Sequence, residues 1–346
     1  MSFGARITTT TNQVFMPRLV DTVLRSNVLA TEVLMKAERF RGERMKFPIK
    51  YQTNTTGTSF SGFDSLSTSA TLNRVNLEFT PKTYQITSAL PLDEITANAT
   101  AGEAQILDLV DLTLKSDSQD MADGIGTIFY LDGTGNSSKD FNGLGNIVDD
   151  GTTAPTYGGL SRSTYPTLNS TVTASSGTLT LAKMATLFNA ISDGSIEPNL
   201  GITTPTVWSL YEQLLQSQEQ IMKTPVGGDA SKFVGFTGMT GLKYKGFNIL
   251  KDRKATSGVL FFLNMDFLNW YGAPVAMSRP IKVSDSKAKI VGNDYSNGDP
   301  AAMGFSWSDW IKPSNQAAVI AHTFLYGEFL SDNPRRHGKL TGITGV

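Results

Sequence analysis

The side chains that most often do chemistry are scarce in this sequence. It has no cysteine and only two histidines, His322 and His337. Thiolate nucleophiles, zinc–thiolate sites, iron–sulfur clusters and disulfides are therefore excluded, and histidine-based acid–base or metal chemistry has almost no material. His322 lies in the apolar run Ala317 to Tyr326, where a lone histidine is expected to be packed and hydrogen-bonded. His337 belongs to Asn333-Pro334-Arg335-Arg336-His337-Gly338-Lys339, a basic cluster suited to nucleic-acid phosphates or to pairing across a subunit boundary. With 30 basic against 31 acidic residues, the second reading is preferred. Asp93-Glu94 and Asp149-Asp150 are acidic pairs, but adjacent residues of an extended segment point apart, so both read as solvated turns. Gly133-Thr134-Gly135 follows a helix, whereas a dinucleotide fingerprint follows a strand and opens a helix. No phosphate-loop, HExxH, GxSxG or EF-hand pattern occurs. A metal-dependent hydrolase on scattered carboxylates is the one enzyme reading left, and it lacks a site. No catalytic residue, metal ligand or cofactor is expected.

Composition narrows the class further. At 346 residues the chain is long enough for two domains or one elaborated domain. Only 18% of residues are charged, and the net charge of −1 excludes a charge-driven nucleic-acid binder. Ser, Thr, Asn and Gly supply the polar surface. The N-terminus shows no secretory signal, so a cytoplasmic start is expected. The most apolar stretch, 259 to 277, is interrupted by Asn264, Asp266 and Asn269, which argues against a membrane span. Sequons at Asn54, Asn98, Asn136 and Asn169 are expected by chance in so Ser/Thr-rich a chain.

The elements follow from periodicity. The first sixteen residues are Thr-rich and aperiodic, an arm tied down only by contact with something else. Pro17 suits a first helical turn, and Val20, Val23, Leu24, Val28 and Leu34 give a helical stripe to about Phe40. Segments 44 to 52 and 76 to 90 alternate as strands do. Between them lies a polar tract of about twenty residues, a length that compact domains keep only for a purpose. From Thr100 to Tyr130 runs the longest helical signal, roughly 45 Å, with Ile106, Val110, Leu114, Met121, Ile125 and Ile128 on one face. Asp108, Asp111 and Lys115 take the opposite face, while Asp117 projects among apolar positions and needs a partner from the fold or a neighbouring chain. Helices are expected at 179 to 192 and 209 to 222, a short strand at 205 to 208, and strands at 242 to 250, 259 to 263 and 316 to 330.

Phe129-Tyr130-Leu131-Asp132-Gly133-Thr134-Gly135 with Phe141-Asn142-Gly143-Leu144 resembles the helix-to-loop junction of tailed-phage major capsid proteins of the HK97-like fold. Tyr157-Gly158-Gly159-Leu160-Ser161-Arg162-Ser163-Thr164-Tyr165-Pro166 and Asp332 to Leu340 are similar to segments of the same proteins, as is the order of elements over nearly the whole chain. The resemblance implies an α+β fold in which residues 1–44 form an N-terminal arm and helix and 45–85 an extended loop (E-loop). Residues 86–150 would form a peripheral domain with the spine helix, 151–270 mainly an axial domain, and 271–346 the return to the peripheral domain. It also implies hexamers and pentamers of this chain forming an icosahedral shell around double-stranded DNA, assembled in a bacterial cytoplasm. A separate scaffolding protein, a portal and a decoration protein are the further partners it suggests, and no membrane. An encapsulin-like compartment holding a cargo enzyme is the alternative.

Within that reading, the inter-subunit contact candidates are Arg39, Arg41, Glu43, Arg44, Arg335 and Arg336 for ion pairs, and Asp117. Phe60, Phe63 and Leu66 in the loop tip either anchor in a neighbour or fold back on their own strands. Phe233 and Phe236 would line a ring centre. Some relatives cross-link a loop lysine to a neighbour's asparagine; no lysine lies between Lys50 and Lys82, so a non-covalent shell is expected. A lining of little net positive charge would release DNA readily, because few phosphate counterions are exchanged.

Overall fold

A computed structural model describes residues 27–69, 71–99, 103–216, 242–275, 279–280 and 303–346. The arm, Pro17, Val20, Val23, Leu24, Phe233, Phe236 and the end of the 209–222 helix lie outside the described residues, as do the side chains of Asp108 and Asp111.

Two sheets carry the architecture. The first is built on the 14-residue strand Ala318–Ser331. Lys82–Pro91 runs antiparallel to it from Pro91 opposite Ala318 to Lys82 opposite Gly327. Leu268–Gly272 pairs with its C-terminal end, Phe305–Trp307 with its middle, and Glu38–Arg39 extends the sheet by parallel pairing to Tyr271 and Gly272. The spine helix, Glu103–Ile128, has 26 residues, about 39 Å of rise. Leu114, Ser118, Met121, Ile125 and Ile128 are buried at alternating spacings of three and four, which places one stripe against the sheet. Gly124 admits the Tyr84 hydroxyl of the neighbouring strand; a Cβ there would stand 2.2 Å from that oxygen. A separate helix, Leu92–Ala99, precedes the spine.

The second sheet has the order Leu242–Tyr244, Phe247–Lys251, Leu200–Thr203, Leu260–Leu263, Gly338–Leu340, Thr171–Thr173. Leu260–Leu263 is buried at every position, because its two faces serve two cores. Leu260 and Phe262 pack with Leu187, Phe188, Tyr211 and Phe247; Phe261 and Leu263 pack with Tyr130, Leu200 and the first sheet's aromatics. Strands buried on both faces read as continuous apolar runs. Phe129 packs on the cross-strand pair Trp270 and Phe329 of the first sheet, with ring centroids 5.6 Å and 5.0 Å away.

Several expectations are corrected. Residues 205–208 are not a strand but the first turn of helix Pro205–Gln216, with Pro205 where its missing N–H costs nothing; the strand is Leu200–Thr203 just before it. Segment 242–250 is a hairpin, turned at Lys245 (φ 43) and Gly246 (φ 98), the left-handed pair of a tight two-residue turn. Segment 76–90 is two strands, Arg74–Phe79 and Lys82–Pro91. Within 271–346, Gly338–Leu340 pairs with Leu260–Leu263 and Thr171–Thr173 in the second sheet. No helix among the described residues is long and apolar enough to cross a membrane.

Candidate functional site

Among the described residues the most exposed large apolar side chains, Phe60, Phe63, Leu66 and Leu72, lie in the tract carried by the ribbon that starts at Met45. Met45–Lys50 and Arg74–Phe79 pair antiparallel over six rungs, from Met45 opposite Phe79 to Lys50 opposite Arg74. Met45, Leu77 and Phe79 are buried on the inner face; Phe47 packs on it, with ring centroids 5.3 Å from Tyr271. Lys46 and Glu78 meet at 2.8 Å on the outer face. Beyond the last rung, Asn54 holds the tract locally: its side-chain oxygen accepts from Thr56 N at 3.0 Å and from the Thr71 hydroxyl at 3.2 Å. At the tip Phe60 is 64% exposed, Phe63 fully exposed and Leu66 61% exposed. These three residues do not fold back on their own strands.

The ribbon's base is gripped by the Tyr157-to-Pro166 segment. Glu78 N donates to Gly158 O at 2.9 Å, Tyr157 packs edge-on to Phe79 at 5.2 Å, and Tyr165 edge-on to Tyr51 at 5.1 Å. Arg162 is completely buried. Its Nη1 donates to Asp149 O at 2.8 Å and to Leu168 O, and its Nη2 to Asn146 O at 2.5 Å, while the guanidinium lies 5.1 Å from the Tyr157 ring centre. Burial holds its pKa below the ordinary arginine value. The Tyr157 hydroxyl accepts from Ser331 N at 2.7 Å and donates to Ser331 O at 2.8 Å, tying the segment to the long strand.

Four titratable groups, Asp149, His337, His322 and Glu328, are tied into the fold by hydrogen bonds. Asp149 is not a solvated turn: it is 1% exposed, and its Oδ2 accepts from the backbone N–H groups of Gly151, Thr153 and Ala154. His337 is not part of a basic surface. It is wholly buried, its Nδ1 accepts from Asn264 N at 3.2 Å, and its Nε2 therefore carries the proton donated to Ser331 Oγ at 2.8 Å. Burial pushes its pKa down to about 3. His322 Nδ1 sits 3.0 Å from the Thr87 hydroxyl across the first sheet. Glu328, 1% exposed, accepts from Asn142 N at 2.6 Å, and burial pushes its pKa up to about 7.

Among the remaining candidates, Asp117 finds its partner inside the fold, accepting from the Ser88 hydroxyl, with burial raising its pKa. Arg336 is also intrachain: its Nη2 lies 2.5 Å from Asp193 at the end of helix Leu181–Ile191. Arg335 is exposed beside it. Arg39 lies in the edge strand Glu38–Arg39, Arg41 and Glu43 are exposed around Gly42, and Arg44 reaches Glu78 at 3.8 Å. An open groove of about 730 Å³ is lined by Glu32, Lys36, Glu197, Lys245, Phe247 and Asp266 among others, but no nucleophile–base pair converges there. Among the described residues no group of three His, Asp or Glu is placed to hold a metal ion.

A plate of two sheets braced by a long helix, with an extended ribbon leaving it, has counterparts among solved structures. A chain of the cyanophage A-1(L) capsid superposes with a TM-score of 0.64 at 12% identity, covering 91% of this chain and 92% of that one. The chain has the HK97-like capsid fold. The capsid fold also aligns with the capsid of Myoviridae phage XM1 (TM-score 0.51, 13% identity, 91% of each chain). The holo-SrpI encapsulin complex from Synechococcus elongatus PCC 7942 aligns at a TM-score of 0.53 and 9% identity, over 88% of this chain and 84% of that one. At the level of sequence, no family model and no curated protein matches.

Proposed function

We propose that this chain is the major capsid subunit of a tailed phage: a non-enzymatic shell protein whose copies join as hexamers and pentamers around double-stranded DNA. The observation that carries the reading is the ribbon tip, where Phe60, Phe63 and Leu66 are exposed at the end of a ladder too narrow to cover them. A ribbon of two strands is marginal alone, and apolar residues at its tip gain burial only against another molecule. In a head-to-tail ring each copy presents its ribbon to the next and receives one in turn. Arg39, Arg41, Glu43, Arg44 and Arg335 remain contact candidates, Arg44 also lying 3.8 Å from Glu78 of its own chain, whereas Asp117 and Arg336 are engaged inside the fold. Contacts of about 8 kcal/mol each, micromolar singly, suffice when summed around a ring. A scaffolding protein, a portal and a decoration protein are partners of this reading, and the particle in the virion is its destination.

The likeness to SrpI favours a second reading, a compartment shell around a protein cargo. Electron microscopy of the expressed chain tests the shared part: closed shells are expected, and a dispersed monomer overturns both. Nuclease-protected DNA in native particles supports the phage shell, whereas a co-purifying enzyme in DNA-free shells supports the compartment.

A further inference from the structure

The outer face of the ribbon carries an electrostatic conflict that the other described residues do not resolve. Tyr51 N donates to Asn73 O at 3.1 Å, so the adjoining Lys50–Arg74 rung is a non-hydrogen-bonded one, where directly opposed side chains come closest. Rungs of this kind at Lys46–Glu78 and Pro48–Asn76 lie on the same face. The first is an ion pair and the second neutral, and Pro48 is tolerated because its nitrogen points away from the partner strand. The third sets two cations against each other. Lys50 and Arg74 are both exposed, and among the described residues neither has a carboxylate within ion-pair distance, the ribbon's ion pairs being those of Glu78. Like charges directly opposed destabilise a ladder.

We propose that Lys50 and Arg74 form a two-pronged clamp for carboxylates of a second copy of this chain, and that Asp93 and Glu94 supply them. This rests on the shell reading above. Asp93 and Glu94 stand in the first turn of helix Leu92–Ala99, adjacent, exposed and without an ion pair among the described residues. Two exposed cations on one rung match the two carboxylates of one helical turn in charge and number. A protein surface fits better than a phosphate backbone, because Phe60, Phe63, Leu66 and Leu72 stand exposed on the same loop, and only apolar surface of a partner chain would cover them. The rung thus keeps a cost in the free subunit that assembly removes.

The test is charge reversal and rescue on the full chain, read by sedimentation and electron microscopy. Lys50→Glu with Arg74→Glu, and separately Asp93→Lys with Glu94→Lys, should each raise the concentration for half-assembly by about tenfold or more. Combining all four should bring it back to within about threefold of the unaltered chain. The single change Lys50→Glu separates this from misfolding: it places a carboxylate opposite Arg74 within one ribbon, so the free subunit's melting temperature should hold or rise while assembly weakens. Unchanged assembly in the double reversals, or no rescue in the quadruple variant, overturns the clamp and leaves the shell reading standing. Normal assembly with loss of nuclease-protected DNA overturns it in favour of phosphate. Failure of the unaltered chain to form shells overturns the shell reading, and the clamp with it.

Discussion

Gly158 lies directly beneath Leu77, the innermost buried residue of the ribbon. A Cβ on Gly158 would stand 2.7 Å from Leu77 Cδ2 and 3.0 Å from the Phe79 ring, and its φ of +55 is one that a side chain strains to adopt. Gly158→Val therefore meets both a clash and a backbone penalty. We expect a loss of about 2 to 4 kcal/mol in urea unfolding of the free subunit. Gly159, with φ +78 and open space around it, should lose about 1 to 2 kcal/mol as Ala, from backbone strain alone.

Arg162 satisfies carbonyls of Asn146, Asp149 and Leu168 from one buried guanidinium. Replacement by Met removes the guanidinium's bonds to the Asn146 and Leu168 carbonyls, leaving Asp149 O only Ser170 N at 2.9 Å, and replacement by Lys supplies a point charge that cannot span three directions. Both variants should lose about 3 kcal/mol or more in chemical denaturation. A Lys variant as stable as the original would show that charge and not the planar fork holds the loop.

The buried role of Arg162 was not legible in the sequence, although the motif containing it was. Periodicity marked the spine helix, the two ribbon strands and helix Leu181–Ile191, because each buries one face and exposes the other. It failed at Leu200–Thr203, whose four residues are all buried and carry no alternation, so the strand was displaced into the helix that follows. His337 and Asp149 were misplaced for a related reason. Their polarity predicts exposure, whereas partners that periodicity does not reveal allow them to be buried: Asn264 N and Ser331 Oγ for the imidazole, and for the carboxylate the N–H groups of Gly151, Thr153 and Ala154, with Lys339 3.5 Å from its Oδ1. Phe60, Phe63 and Leu66 read in the sequence as either anchors for a neighbour or residues folded back on their own strands, and the structure leaves all three exposed.

His337 and Glu328 should give the subunit opposed pH responses. The imidazole's folded pKa is depressed to about 3 from 6.5, so its contribution is complete above pH 6.5 and is lost as pH falls below it. The carboxyl's folded pKa is raised to about 7 from 4.5, so its contribution is complete below pH 4.5 and is lost as pH rises through 7. Between pH 4.5 and 6.5 the two slopes, each about 1.4 kcal/mol per pH unit at most, oppose one another. Relative to the unaltered chain, Glu328→Gln should gain stability with rising pH in that window and His337→Gln should lose it. Urea midpoints at three pH values check the sign, and parallel curves for the two variants contradict it.

The absence of lysine between Lys50 and Lys82 leaves the loop tip beyond the last rung without an amine for an isopeptide bond, and without cysteine no disulfide can substitute. Particles boiled in detergent should run as one band at the monomer position. A ladder of covalent oligomers would show that cross-linking residues lie elsewhere.

Phe60, Phe63 and Leu66 separate folding from assembly. All three are exposed in the single chain, so their truncation to Ala removes almost no buried surface from the subunit, and unfolding free energy should change by no more than about 0.5 kcal/mol. If they enter a neighbour's surface, each lost aromatic forfeits about 2 kcal/mol or more at a contact. Contacts that are individually weak then fail together, since every subunit of a ring loses the same anchor. The triple variant should therefore unfold like the original, yet sediment as free subunits at concentrations where the original forms shells. Normal shells from the triple variant would remove the tip from the interface, while a subunit that melts early would show that the tip is covered by its own chain.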